Sequence, residues 1–309
     1  MGERSGAFAQ RIRPTAMSTN PAPKPDRLAM PAGRLPRVTI LGDPEKDESR
    51  ALAEVLSRHL AGRAELLGVE ITRAATPLKG APDLLIVIGG DGALLAANHR
   101  LAGLRVPVMG VNVGTVGFLA AVAPARALAV ADLVLAGLAP VEDRAMLAYT
   151  VVRGGQETES GHVLNDLVLA RALERSLSEV ELLDESRWVC SFRGDGVIVS
   201  TGTGSTAYNL AAGGPILSPR LDAIVVCPLA PYALAMRPLV LPADRQFELR
   251  SRAEATLAAD GVPQPPLAAG DTVRIGPSPR RLMLVVDPEA RFYSRLRSKL
   301  RWGEQPGPG

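Results

Sequence analysis

From residue 37 onward, short apolar runs alternate with amphipathic stretches. Residues 38–42 read as a strand, Asp43-Pro44 as a helix start signal, and Leu52, Val55, Leu56, His59 and Leu60 return at helical spacing on one face. His59 on that stripe reads as packing. A second apolar run over 84–88 enters Gly89-Gly90-Asp91-Gly92 and leaves as a helix over 93–101. A third, over 106–111, enters Asn112-Val113-Gly114-Thr115-Val116-Gly117. Strands alternating with helices predict an α/β, Rossmann-like parallel sheet with functional loops at the carboxyl ends of its strands. Past residue 140 the texture changes. Strand-like segments over 147–153, 162–170, 177–183, 197–200, 224–226, 247–250 and 273–275 are separated by turn signals, with helix only around 206–212. This half is predicted to be mostly β, two packed sheets. Residues 291–302 read as a basic helix with Phe292, Leu296, Lys299 and Leu300 on one side and five basic residues as a solvated face.

Charge narrows the partners. The 309 residues carry a formal +3, but residues 1–37 hold Arg4, Arg11, Arg13, Lys24, Arg27, Arg34 and Arg37 against Glu3 and Asp26, a local +5 that leaves the rest at −2. No basic field for nucleic acid is expected. Residues 1–36 are rich in Pro, Ala, Arg, Ser and Thr without periodicity and read as a disordered extension, with Met17 and Met30 as alternative starts. No run approaches the roughly eighteen apolar residues of a membrane span and no secretory signal is visible. A cytoplasmic protein without a membrane partner is the expectation. Cys190, Cys227, His59, His99 and His162 lack metal-ligand spacing, and both cysteines read as core thiols. None of the lysines (Lys24, Lys46, Lys79, Lys299) follows glycine, which excludes a Walker-A loop.

Four motifs can carry chemistry. In Gly89-Gly90-Asp91-Gly92 the glycines permit a tight turn and close approach of a substrate, the following helix offers N–H groups to phosphate, and Asp91 can accept a proton from a hydroxyl. A helix N-cap is the plainer reading of Asp91. Residues 194–215 place Thr201, Thr203, Ser205 and Thr206 among glycines, with Tyr208 available to lie against a flat base. Gly202, Gly204 and Ala207 satisfy a loose G-x-G-x-x-A, but this run lies in the β-rich half and Asp222 precedes the next apolar run, so the dinucleotide fingerprint is weak. Asn165-Asp166 inside an apolar segment is costly to bury without partners and suits an adenine edge and ribose hydroxyls, with a hairpin turn as the competing reading. Asp260-Gly261 is by itself a hairpin turn signal.

In this order, G-G-D-G, G-V-N-x-G-x-x-G-F-L, L-N-D, G-D-G-x-I-x-S-T-x-T-G-S-T-A-Y and A-x-x-G-G-P resemble the NAD kinase family from about residue 38 to 302. The G-G-D-G turn alone is shared with diacylglycerol and sphingoid-base kinases and resembles a phosphofructokinase loop. The resemblance implies an α/β domain over 37–140, a β-sandwich NAD-binding domain over 141–280, and a strand and helix over 281–304 returning to the first domain. It implies transfer of the terminal phosphoryl of ATP, or of polyphosphate, to the 2′-hydroxyl of the adenosine ribose of NAD. Asp91 would be the proton acceptor, Gly89 and Gly90 the phosphate loop, and Gly92 would lie beside the ribose. Asn165 and Asp166 would grip the adenosine. Arg193 and Asp195 would contact the nicotinamide end, with Thr203, Thr206, Ala207, Tyr208, Asn209, Leu210 and Ala211 lining the dinucleotide. The family implies a homodimer or homotetramer whose NAD site is completed across subunits. Without a Walker lysine, charge neutralisation falls to glycine-loop N–H groups and Mg²⁺ held by the nucleotide phosphates. Three positions depart from the family pattern: Ala96 stands where some members have a basic residue, with Arg100 a substitute, and Ser176 and Val262 replace other contacts. The alternatives are a lipid or sugar kinase sharing only the turn, and a non-catalytic dinucleotide sensor.

Overall fold

The structure is a computed structural model and describes residue 28 and residues 30–301, except 73, 75, 115, 116, 173–176 and 291. Most of the predicted extension, Ser176 and Trp302 lie outside the described residues. Of the extension, Leu28 is buried in the first core and Arg34 pairs with Asp83 at 2.6 Å.

The first half contains β1 (Arg37–Gly42), α1 (Asp47–Leu60), β2 (Glu65–Ile71), β3 (Leu84–Gly89), α2 (Asp91–Leu101), β4 (Pro107–Asn112) and α3 (Ala127–Leu135). Its strands run parallel in the order β2-β1-β3-β4. Strands covered on both faces read as continuous apolar runs, and β3 and β4 are buried at every residue. The buried stripe of α1 is Ser49, Ala53, Leu56 and Leu60, a rotation from the predicted face that leaves Val55 exposed. His59 is correspondingly not a packing residue: its Nε2 lies 2.7 Å from Asp132 on α3.

The second half contains β5 (Val141–Arg153), β6 (Gln156–Val163), β7 (Asp166–Arg171), β8 (Ser178–Asp184), β9 (Arg187–Gly194), β10 (Gly196–Thr201), α4 (Tyr208–Ala211), β11 (Ala223–Leu229), β12 (Leu239–Pro242), β13 (Phe247–Ser251), β14 (Ala255–Ala259), β15 (Val262–Leu267) and β16 (Thr272–Val285), with α5 (Phe292–Leu300) last. Six strands form an antiparallel sheet, β12-β11-β10-β7-β14-β15. The others join the first sheet, because β16 pairs antiparallel with β5 along nearly its whole length and ends parallel to β4 at Pro107 and Val108. One ten-stranded sheet therefore runs through both halves, parallel at one end and antiparallel at the other. The six-stranded sheet packs on its antiparallel part around Leu167, Leu169, Val197, Val199, Leu249 and Ile275. The predicted single strand over 162–170 breaks at Leu164-Asn165, where the chain leaves β6 in one sheet and enters β7 in the other. Cys227 is buried and Cys190 half-buried, both free, and burial pushes both thiols up.

Candidate functional site

In a parallel sheet of order β2-β1-β3-β4, connections leave β1 and β3 in opposite directions. The crevice outside their carboxyl ends is where such sheets bind ligands. A cavity of about 480 Å³ lies there, lined by Asp43, Lys46, Gly90, Gly92, Ala96 and Arg100 among others. Lys46 extends toward the loop after β4, its Nζ 3.6 Å from where a Cβ on Gly114 would lie, and has no ion-pair partner among the described residues. Arg100 shares the wall with Ala96, but its Nε donates to the Thr76 carbonyl at 2.7 Å and its Nη2 to Glu70 at 2.6 Å. A second cavity, about 580 Å³, shares Ala74 and Ala96 with the first and reaches His99, Tyr149, His162 and Val262. Burial, with Arg280 nearby, holds the His162 imidazole below its ordinary range.

Gly90 caps α2 with extended backbone and Asp91 is the first helical residue, so Asp91 is not the N-cap. Its carboxylate turns to the loop after β4. Oδ2 accepts the N–H of Phe118 at 2.8 Å, and Oδ1 accepts those of Leu119 at 3.0 Å and Ala120 at 2.9 Å. A Cβ at Gly117 would lie 2.0 Å from Oδ1, so only glycine permits this approach. A carboxylate has about four lone-pair sites. With three engaged, the open one is on Oδ2.

The Asn165-Asp166 corner is held from across the sheet. Asp260, in the turn between β14 and β15, accepts the N–H groups of Leu164 at 2.8 Å, Asn165 at 2.7 Å and Asp166 at 3.2 Å. The hairpin-turn reading of Asp260-Gly261 is thus incomplete: Asp260 adopts φ 48° and its side chain fixes the corner. Burial and Asp260 together push the Asp166 carboxyl up to about 7. Asp260 is also raised, by burial, against its three N–H donors.

The 201–214 run packs on this corner. Thr201 Oγ1 donates to the Leu164 carbonyl at 2.6 Å and accepts Gly204 N–H at 3.0 Å, and a Cβ at Gly204 would lie 2.0 Å from the Asn165 carbonyl oxygen. The predicted helix over 206–212 is a 3₁₀ turn at Gly204–Thr206 followed by α4. Thr206, Ala207, Tyr208, Leu210 and Ala211 reach the surface, whereas Asn209 is fully buried and donates to the carbonyls of Ser205 and Pro215. Thr203 is buried with its Oγ1 3.5 Å from Arg144 Nη1. Arg144, on β5, also donates to Glu142 at 2.6 Å and feels Arg295 of α5. Arg295 in turn feels Asp91, and burial lowers both guanidiniums. The solvated-face expectation for α5 therefore fails at Arg295, which is buried, and Lys299 lies 4.5 Å over the Phe118 ring. Nothing local marks Arg144, and neither the turn signal at Asp260 nor the basic face holding Arg295 announces its partner, because each acts through a residue far away in sequence.

Arg193 and Asp195 are not brought to the Asn165-Asp166 corner. Arg193 lies near the end of β9 and Asp195 just before β10, whose far end at Ser200 pairs with Asp166, five residue steps or roughly 17 Å from Asp195. Their side chains are 61% and 54% exposed, Arg193 3.9 Å from Glu179 and Asp195 2.9 Å from Arg171. Among the described residues no group of three or more His, Cys, Asp or Glu side chains is placed to hold a metal ion, and no helix is long and apolar enough to cross a membrane.

A glycine turn at the switch point of a parallel sheet, with an Asn-Asp corner where the chain enters an antiparallel sheet, fits a two-domain nucleotide-using kinase. Residues 8–139 match the ATP-NAD kinase N-terminal domain and residues 164–286 the ATP-NAD kinase C-terminal domain. The chain belongs to the NAD kinase family of phosphotransferases. It is 39% identical over 268 residues to the NAD kinase of Symbiobacterium thermophilum, covering 86% of this chain and 95% of that protein. It is 40% identical over 231 residues to the NAD kinase of Pseudomonas aeruginosa, covering 74% and 78%. The fold matches yeast NADH kinase crystallised with NADH at a TM-score of 0.79, with 22% identity, over 92% of this chain and 93% of that one. It also matches an Archaeoglobus fulgidus NAD kinase crystallised with ATP at 0.69, with 23% identity, over 86% and 98%.

Proposed function

We propose that the chain transfers the terminal phosphoryl group of ATP to the 2′-hydroxyl of the adenosine ribose of NAD, giving NADP and ADP. The observation that carries this reading is Asp91: three backbone N–H groups orient it, and Oδ2 keeps a lone pair for a hydroxyl. The new bond forms between the ribose oxygen and phosphorus as the bond to ADP breaks, and Asp91 takes the hydroxyl proton. In a loose transition state that proton leaves late, so fixed orientation matters more than a strong base. The switch-point cavity suits the donor phosphates, with the first N–H groups of α2 and the Lys46 ammonium facing them. A divalent ion, Mg²⁺, would enter on those phosphates, since the described residues offer no cage; it supplies charge neutralisation. Inorganic polyphosphate is the alternative donor. Asn165 and Asp166 take the adenosine, and Thr206–Ala211 line the dinucleotide. The exposure of Arg193 and Asp195 supports a homo-oligomer in which they meet the nicotinamide end at a neighbouring subunit's site.

The test is a matrix of ATP and polyphosphate against NAD and NADH with Mg²⁺, the product's 2′-phosphate being located by phosphorus NMR. Asp91→Asn should stay folded, less stable by the one N–H its amide nitrogen must face, and lose at least ~10²-fold in turnover. No phosphorylated dinucleotide from any combination would refute the proposal. Phosphorylation of diacylglycerol alone would favour the lipid-kinase reading, and NAD binding without turnover the sensor.

A further inference from the structure

Asp166 is the acid of the site that the protein leaves without a donor. The corner supplies three backbone N–H groups, and all three go to Asp260. Asp166 is only 5% exposed, and among the described residues its carboxyl feels burial and Asp260 but no N–H or O–H donor. On β7 it points away from the sandwich core entered by Leu167 and Leu169, onto the face shared with its β10 partner Ser200. The Ser200 hydroxyl donates its one proton to the Thr201 carbonyl at 3.1 Å, with that of Asn165 at 3.4 Å, and the Ser205 hydroxyl of the adjoining 3₁₀ turn donates to the Gly202 carbonyl at 2.7 Å, with that of Leu217 at 3.4 Å. The charge facing Asp166 is Asp260, of the same sign. His99 of α2 and Tyr149 of β5 bear on Asp260 and not on Asp166.

A buried carboxylate beside another, without donors, is costly, and taking up a proton removes the cost. A ligand N–H or O–H would remove it as well, by stabilising the charged form. We propose that Asp166 holds a proton in the empty site and releases it when a neutral donor of the adenosine, its exocyclic amine or a ribose hydroxyl, bonds to the carboxylate. Dinucleotide binding is then coupled to proton release. This rests on the reading that the site takes NAD. The bond broken is the Asp166 O–H, and its proton passes to solvent.

The sign follows from the linkage. Ligand donors favour the ionised acid, so affinity rises with pH until the empty-site value is passed and is flat above it. With the carboxyl pushed up to about 7, NAD should bind about tenfold more weakly at pH 6 than at pH 8. Calorimetry of NAD binding to the full chain, at pH 7 and without phosphoryl donor, in buffers of low and high ionisation enthalpy, reads the proton directly. About half a proton should be released per NAD at that pH. Asp166→Asn should bind with no release and no such pH dependence. Nicotinamide hypoxanthine dinucleotide, which lacks the amine, and the 3′-deoxyribose analogue of NAD identify the donor by which one abolishes the release. Release that is absent in the wild type, or unchanged in Asp166→Asn, overturns the coupling even if NADP is made. Release without NADP formation upholds it and refutes the kinase reading instead. Should the variant not fold, carbon-13 NMR of the aspartate carboxyls in the empty wild-type protein decides: one must titrate near neutrality and lose that titration with NAD.

Discussion

Replacing Asp260 with asparagine tests how the Asn165-Asp166 corner is held. The carboxylate uses Oδ2 for Leu164 N–H and Oδ1 for Asn165 and Asp166 N–H. An amide offers one oxygen, so in either orientation its NH₂ faces at least one of these donors. Leu164 and Asn165 are buried, and a buried N–H left unsatisfied costs about 1–3 kcal/mol. The loss of charge adds little, because burial already disfavours ionised Asp260 and its removal relieves repulsion on Asp166. A net loss of about 1–3 kcal/mol should lower Tm by roughly 2–5 °C in a protein of this size. On the proposal that the corner takes the acceptor and not the donor, the KM for NAD should rise by tenfold or more while the KM for ATP changes little. Differential scanning calorimetry and steady-state kinetics on one preparation read both. An Asp260→Asn protein with unchanged Tm and unchanged KM for NAD would show that the corner does not depend on this side chain.

Gly117→Ala should depress kcat by at least ~10²-fold, since its Cβ would fall 2.0 Å from Asp91 Oδ1 and must displace either the acid or the loop; a variant with normal kcat contradicts the role of that loop. Lys46→Met should raise the KM for ATP about tenfold or more and leave that for NAD unchanged, with Lys46→Arg restoring most of the loss; equal effects on both substrates would remove Lys46 from the donor cavity. An acid whose folded value lies above its unfolded one, about 3.9 for Asp, binds more protons folded than unfolded, so it destabilises the fold increasingly as pH rises from 4 to 7 and fully above. With Asp166 at about 7, the penalty is on the order of 4 kcal/mol. The Tm of the empty wild type should therefore fall more between pH 5 and pH 7.5 than that of Asp166→Asn, as thermal melts at the two values will show.

The parallel layer was readable because its strands are buried on both faces and its helices fall at regular intervals. The second half was readable as short strands but not as sheets. Nothing local in 162–170 marks Leu164-Asn165 as the passage between two sheets, since apolar alternation resumes at once on the other side. The course of β16, with its C-terminal end beside β4, is likewise a long-range pairing that periodicity does not encode. On α1 the stripe was misplaced because Ser49 and Ala53 are small enough to pack beneath the sheet, while Val55 at a neighbouring angle remains outside.

The site shows the same division between a residue and its reason. The glycines of Gly89-Gly90-Asp91-Gly92 and of the 201–214 run mark places where backbone must come close to something, but not what comes close. At Gly117 it is the Asp91 carboxylate, and at Gly204 it is the Asn165 carbonyl, each at a distance that excludes any side chain. Those two approaches tie Asp91 in one domain to its loop and the Asn165-Asp166 corner of the other to the hydroxyl-rich run. A positive field is then unnecessary for an anionic dinucleotide and a triphosphate. On the proposed reading, helix-start N–H groups and the Lys46 ammonium lining the cavity would meet their charge, in a body whose net charge outside residues 1–37 is −2. Deleting residues 1–27 removes five basic side chains and two acids, none of them among the groups named above, so kcat and both KM values should stay within about twofold of the full chain's. A large rise in the KM for ATP would instead place part of the donor's electrostatic partner in that segment.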